Sequence, residues 1–145
     1  MTFALDGTVI GTGIGAILLY AVLGVLLMLL GFFAVDLTTP GPLNRQVREG
    51  RPNAVLVTAA GMVGIAFIVV MSIYVSSGAL LDGLLTTLIF GVIGVVAQVL
   101  AARLLEWVTG IDMGVVLAAD TVRAQAWLVA AVHIVLGLVV AVAIL

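Results

Sequence analysis

The side chains best suited to chemistry in this chain sit where polarity is expensive. His133 and Gln98 fall deep inside long apolar runs, and Asn53 and Gln125 open two of those runs. An imidazole titrates near neutrality, so one held inside a membrane suits a proton or cation relay. Such a relay takes an embedded carboxylate as partner, and the apolar runs contain no Asp or Glu. The plainer reading is a neutral His133 satisfied by Gln98 or by a carbonyl. Counted along ideal helices, His133 lies about 14 Å in from the start of the fourth run and Gln98 about 10 Å in from the end of the third. Antiparallel neighbours would bring both to one depth, within reach of a hydrogen bond worth about 0.6 kcal/mol.

Asn53 and Gln125, as paired amides at two helix starts, would coordinate an ion or a lipid headgroup, or simply satisfy free backbone groups. Arg45, Arg48 and Arg51 would grip anionic lipid at about 1 kcal/mol per charge near the surface, or serve topology alone. Arg103 and Glu106, and Asp120 and Arg123, are three apart and are expected to be solvated pairs. Ser72, Ser76 and Ser77 lie toward the end of their run farthest from His133, so no Ser–His pair forms within one protomer. No HExxH, phosphate loop or membrane-placed carboxylate pair is present, and there is no Cys. Catalysis, a cofactor and a metal site are therefore not expected. A formal charge of −2 makes nucleic-acid binding an unsuitable role, since that needs a basic surface.

The elements that must position these groups are membrane helices. The 145 residues are 65% hydrophobic and 8% charged, with a mean hydropathy of +1.46, leaving too little polar surface for a soluble domain. Four runs reach the length of about 20 residues needed to span: roughly Val9 to Val35, Asn53 to Ser77, Gly83 to Leu105 and Ala124 to Leu145. Amides in lipid must pair within their own segment, so these are helices. The expected fold is an all-α membrane protein with four transmembrane helices, in a single transmembrane domain over 1–145. Met1–Thr8 offers only Asp6 and no positive leader, so the first helix is expected to be retained rather than cleaved as a signal peptide.

The connections differ in kind. Thr38-Thr39-Pro40-Gly41-Pro42 cannot continue a helix, but Leu43–Glu49 can form one or two turns before Gly50, with Arg45 and Glu49 four apart. Pro52 suits a first helical turn. Ser76–Asp82 reads as a tight turn. Gly110-Ile111-Asp112 is a break, and Asp120-Thr121 a candidate cap for the last helix. All five positive charges are Arg, and all lie in or beside the two long connections. By the positive-inside rule, loops 36–52 and 106–123 are cytoplasmic and both termini extracytoplasmic.

An internal repeat is visible. Arg51-Pro-Asn-Ala-Val-Leu-Val-Thr-Ala aligns with Arg123-Ala-Gln-Ala-Trp-Leu-Val-Ala-Ala at an offset of 72, setting Asn53 against Gln125. Asp36 and Asp112 each follow a long apolar run. Two copies in one orientation, about 9–77 and 83–145, predict two parallel two-helix repeats about an axis along the membrane normal. The register also sets His133 against Gly61, a position without a side chain.

Asp36-Leu-Thr-Thr-Pro, Asn53-Ala, the glycine-bearing Ala60-Gly61-Met-Val-Gly64 and the second start at Gln125-Ala resemble the YjfL-like bacterial membrane proteins, the domain of unknown function numbered 350. The resemblance covers nearly the whole chain. It implies four helices from a duplicated pair in the bacterial inner membrane, no established biochemical activity, and a loose association with envelope-stress and phage-shock-like gene neighbourhoods. The family's second copy usually opens with Asn; Gln125 departs from that pattern, which weakens any role needing the shorter amide.

Pairs of small residues four apart, such as Gly11/Gly15, Ala60/Gly64, Ala97/Ala101 and Gly137/Ala141, allow close helix approach. The expected function is that of a non-enzymatic protein of the bilayer, acting as a homo-oligomer or as a subunit of a larger envelope complex. The alternative is a small oligomeric channel or transporter for protons, cations or small molecules, lined by Gln98 and His133.

Overall fold

The computed structural model describes residues 7–38, 41–76 and 79–145, and the regular elements among them are all helices. In chain order the elements are α1 (Gly7–Thr38), α2 (Leu43–Arg48), α3 (Pro52–Val75), α4 (Leu80–Thr109), α5 (Met113–Ala118) and α6 (Ala124–Ala143). Four of these, α1, α3, α4 and α6, are long and apolar enough to cross a bilayer, so the chain is an integral membrane protein with four spans. The short helices α2 and α5 lie at the same end of the bundle, which we call the arginine end.

Helices α1 and α4 run past the apolar segments. α1 continues through Asp36, whose carboxylate accepts from the Asn44 backbone N–H at 3.2 Å. α4 begins at Leu80, so Asp82 stands in its first turn and not in a turn outside it, and it extends four residues beyond Leu105. In both cases backbone pairing carries on where hydrophobicity stops. Asp6, Thr39, Pro40 and Ser77 lie outside the described residues.

Each stop has a local cause. Pro52 occupies the first turn of α3, where its missing N–H costs nothing. Gly50 and Gly110 take φ values of 71° and 68°, which glycine adopts without steric penalty. Gly110 ends α4, its N–H returning to the Glu106 carbonyl. Asp112 then caps α5 by accepting from Val115 N at 3.2 Å. The α5 helix was not expected from the sequence. Its Met113, Val116 and Leu117 are buried with Leu43, Val57 and Val129, forming an apolar plug under the arginine end. A second cluster of Leu27, Ile65, Val69 and Val95 fills the middle of the bundle.

α3 is the central helix. It packs most extensively on α6, then on α4 and α1. The α3–α6 crossing is backbone on backbone, since a Cβ placed on Gly137 would lie 2.4 Å from Gly64 Cα. Gly11 and Gly15, by contrast, face open space.

Candidate functional site

Around Gly61, halfway along α3, the polar side chains of three helices converge. Gln98 from α4 and His133 from α6 are each 2% exposed. A Cβ at Gly61 would lie 3.8 Å from the Gln98 amide and 3.9 Å from His133 Nδ1. The missing side chain is what lets both groups reach the α3 backbone. No hydrogen bond joins Gln98 to His133. Turned to match the groups it faces, the Gln98 amide donates to Gly61 O at 3.3 Å and accepts from Ile65 N at 3.2 Å. Those two backbone atoms are the ends of one helical rung, so Gln98 brackets a turn of α3.

The His133 imidazole meets no hydrogen-bond partner among the described residues. It lines a cavity of about 20 Å³ together with Thr58, Gly61 and Gln98, enough room for one water. Thr58 Oγ1 is buried there without a partner. A second small cavity touches the same imidazole and leads toward Arg103 and Glu106 on α4. Arg103 is bonded to Glu106 at 2.5 Å, and the other Glu106 oxygen accepts from Met113 N at 3.2 Å, tying α4 to the start of α5. Away from the arginine end the polar pocket is closed by the Leu27–Ile65–Val69–Val95 cluster and by the fully buried Ile68. Beyond that layer stand Thr87, buried with an unpartnered Oγ1, and Ser72, which back-bonds to Ile68 O at 2.8 Å. The arrangement can hold a small polar species against α3 at one depth. Among the described residues no three potential metal ligands come together.

Asn53 and Gln125 have separate environments. Asn53 is fully buried, with Nδ2 at 3.0, 3.2 and 2.8 Å from the carbonyls of Val116, Ala119 and Thr121. Its two hydrogens are therefore shared among three acceptors. Its Oδ1 accepts from Arg123 N at 2.8 Å. One amide thus pins the end of α5 and the start of α6 to α3. Gln125 is exposed and the two are not paired in space. The cap expected from Asp120-Thr121 is not formed, because Arg123 is the N-cap residue and Asn53, from across the bundle, satisfies its amide.

The arginines divide by partner. Arg45 pairs with Glu49 at 2.7 Å, and Arg51 with Glu49 at 3.3 Å and Asp120 at 2.9 Å. Arg51 also donates to the Ala118 carbonyl. Asp120 is accordingly taken by Arg51, in place of the expected Arg123. The two guanidinium hydrogen bonds, led by that of Arg45, hold the Glu49 carboxyl below its ordinary pKa. Arg48 and Arg123 are exposed and meet no carboxylate among the described residues. Ser76 lies at the end opposite the arginines, 3.3 Å from the Tyr20 hydroxyl and far along α3 from Gly61.

Thr58 and Glu106 were not singled out from the sequence as parts of this pocket. Thr58 stands one turn before Gly61 on α3, a helical spacing that would have found it once Gly61 was known to face inward. Glu106 reads as a solvated loop residue until α4 is seen to continue past Leu105.

A family model described as Domain of Unknown Function (DUF350) matches residues 9–144. A UPF0719 transmembrane protein of Mycolicibacterium paratuberculosis is 38% identical over 85 residues, 58% of this chain and 56% of that protein. UPF0719 transmembrane proteins of Mycobacterium bovis and Mycobacterium tuberculosis are each 39% identical over 80 residues, 54% of this chain and 53% of theirs. The matched region spans about half the length of these curated relatives. No solved structure matches the chain.

Proposed function

The chain belongs to the DUF350 family of transmembrane proteins, and on that premise we propose that it is a non-enzymatic multi-pass protein that works by association. It acts as a homo-oligomer or as the small subunit of a larger complex in the bacterial inner membrane, in the setting of envelope stress. The observation that carries this reading is the first half of α1. Among the described residues nothing lies within 4 Å of a Cβ added at Gly7, Gly11, Gly13 or Gly15. An open cleft of about 640 Å³ separates that half from the ends of α3 and α4, lined by Thr12, Gly13, Ala16, Tyr20 and Leu80 among others. A helix with small residues on an unfilled face lets another backbone approach closely, which is how association is driven in lipid.

Native mass spectrometry of the purified chain in detergent and in nanodiscs tests this. An assembled species is expected, and Gly13→Leu or Ala16→Leu should dissociate it while leaving the protomer's own melting temperature in place. A monomer in both media that also co-purifies with no partner from the membrane would overturn the reading.

In this reading both termini are extracytoplasmic and the arginine end is cytoplasmic, supported by all five Arg lying at one end of the bundle. Duplication of a helical hairpin is supported by the long–short–long order of α1–α3 and again of α4–α6. The second reading is an oligomeric channel or transporter using Gln98 and His133, and it draws on His133 lining two cavities. Its weakness is that both side chains face inward within one protomer, behind an apolar layer. Proton flux in liposomes that is lost in His133→Leu would favour it over association.

A further inference from the structure

The outer furrow between α3 and α6 is an unfilled surface separate from the α1 cleft. It is an apolar groove of about 380 Å³ near the arginine end, lined by residues such as Ala59 and Val63 from α3 and Trp127, Ala131 and Ile134 from α6. Ala60 and Ala130 are buried beneath it, so the two helices meet without filling the furrow between them. The lining runs over eight residues on each helix, 56–63 and 127–134, about 10 Å.

We propose that this groove takes one acyl chain of an anionic phospholipid, with the lipid phosphate held by Arg123. Charge argues for that occupant. Arg123 is exposed and is the N-cap residue of α6, four residues before Trp127, at the arginine end of that helix. Arg45, Arg51 and Arg103 each pair with a neighbouring carboxylate, whereas Arg123 meets none among the described residues. The nearest acid along the chain, Asp120, is engaged by Arg51. The Arg123 guanidinium is thus left to bind a phosphate through its paired N–H donors. Trp127, 61% exposed, places an indole at headgroup depth beside it.

The chain carries its own control. Arg103 and Trp107 repeat the Arg-then-Trp spacing on α4, but Glu106 holds Arg103 at 2.5 Å. Because Trp107 and Trp127 are the two tryptophans, Trp107→Phe leaves Trp127 as the single indole and Trp127→Phe leaves Trp107. Each full-length variant is reconstituted in phosphatidylcholine vesicles containing brominated phosphatidylglycerol or brominated phosphatidylcholine, and tryptophan quenching is measured. Trp127 should prefer the brominated phosphatidylglycerol by about fivefold, the equivalent of one surface charge. Trp107 should show no preference. Arg123→Gln should abolish the Trp127 preference, Arg123→Lys should retain part of it, and Arg48→Gln should leave it unchanged. Equal quenching of Trp127 by both lipids, or a preference that survives Arg123→Gln, would overturn the proposal. So would weak quenching by either lipid, the result expected if a second copy of the chain covered the groove. Circular dichroism of each variant separates these results from misfolding.

Discussion

Asn53 and Gln125 occupy matching places in the sequence register and have opposite fates. Removing the Asn53 amide strands the Arg123 N–H and the Ala119 and Thr121 carbonyls in a part-buried junction, while Val116 O keeps the Ala119 N–H, and each lost pairing is costly. Asn53→Ala should therefore lower stability by about 3 kcal/mol in a denaturant titration in detergent. Gln125→Ala, at an exposed position, should change it by less than about 0.5 kcal/mol. Glu49 offers a pH test at the same scale. Its folded pKa is depressed by hydrogen bonds from Arg45 and Arg51, so its contribution is fully present above the unfolded value and is lost as pH falls through the folded one. An NMR titration should place the Glu49 midpoint below that of an ordinary glutamate, and Arg45→Gln should move it upward. The carboxyl is fully exposed, so the accompanying change in stability is small.

At the scale of helices, the α3–α6 crossing is the least forgiving contact. A methyl on Gly137 would meet Gly64 Cα at 2.4 Å and Gly64 O at 2.5 Å, and backbone has no rotamer by which to retreat. Gly137→Ala should lower the melting temperature, with an overpacking cost of about 1–3 kcal/mol. Gly15 lies on the open half of α1, where a methyl meets nothing within 4 Å. Gly15→Ala should leave the isolated protomer unharmed or stabilise it by up to about 1 kcal/mol through helix propensity. Thermal melts of both variants in detergent check the contrast. Helix α5 belongs to this scale as well. Six residues are too few to be stable alone, so it persists because Met113, Val116 and Leu117 are buried and Asn53 and Glu106 tie its ends.

For the whole molecule, the two ends of the bundle differ in kind. The arginine end is closed by α2, α5 and a lattice of ion pairs and amide bonds. At the opposite end the first half of α1 has open space beside it among the described residues, and Tyr20 meets Ser76 there. A reporter active only in the cytoplasm, fused to the C-terminus, should be inactive, and the same reporter inserted between α2 and α3 should be active. The reverse pattern would invert the proposed orientation.

Sequence alone determined that this is an all-α protein of the bilayer with four spans, because apolar length and the absence of charge dictate helices wherever water is missing. It also singled out His133, Gln98, Gly61 and Asn53, since polar or missing side chains stand out against an aliphatic background. Helix ends were less legible, because hydrogen bonding continues past the hydrophobic run, as in α1 through Asp36 and α4 through Thr109. Partner choice was decided by the tertiary structure alone. Gln98 bonds the α3 backbone, Asn53 the α5–α6 connection, and Arg51 takes Asp120, leaving Arg123 free. Spacing along the chain fixes which residues share a helix face. Which face of another helix they meet depends on how closely the backbones approach, and here the glycines at 61, 64 and 137 set that distance.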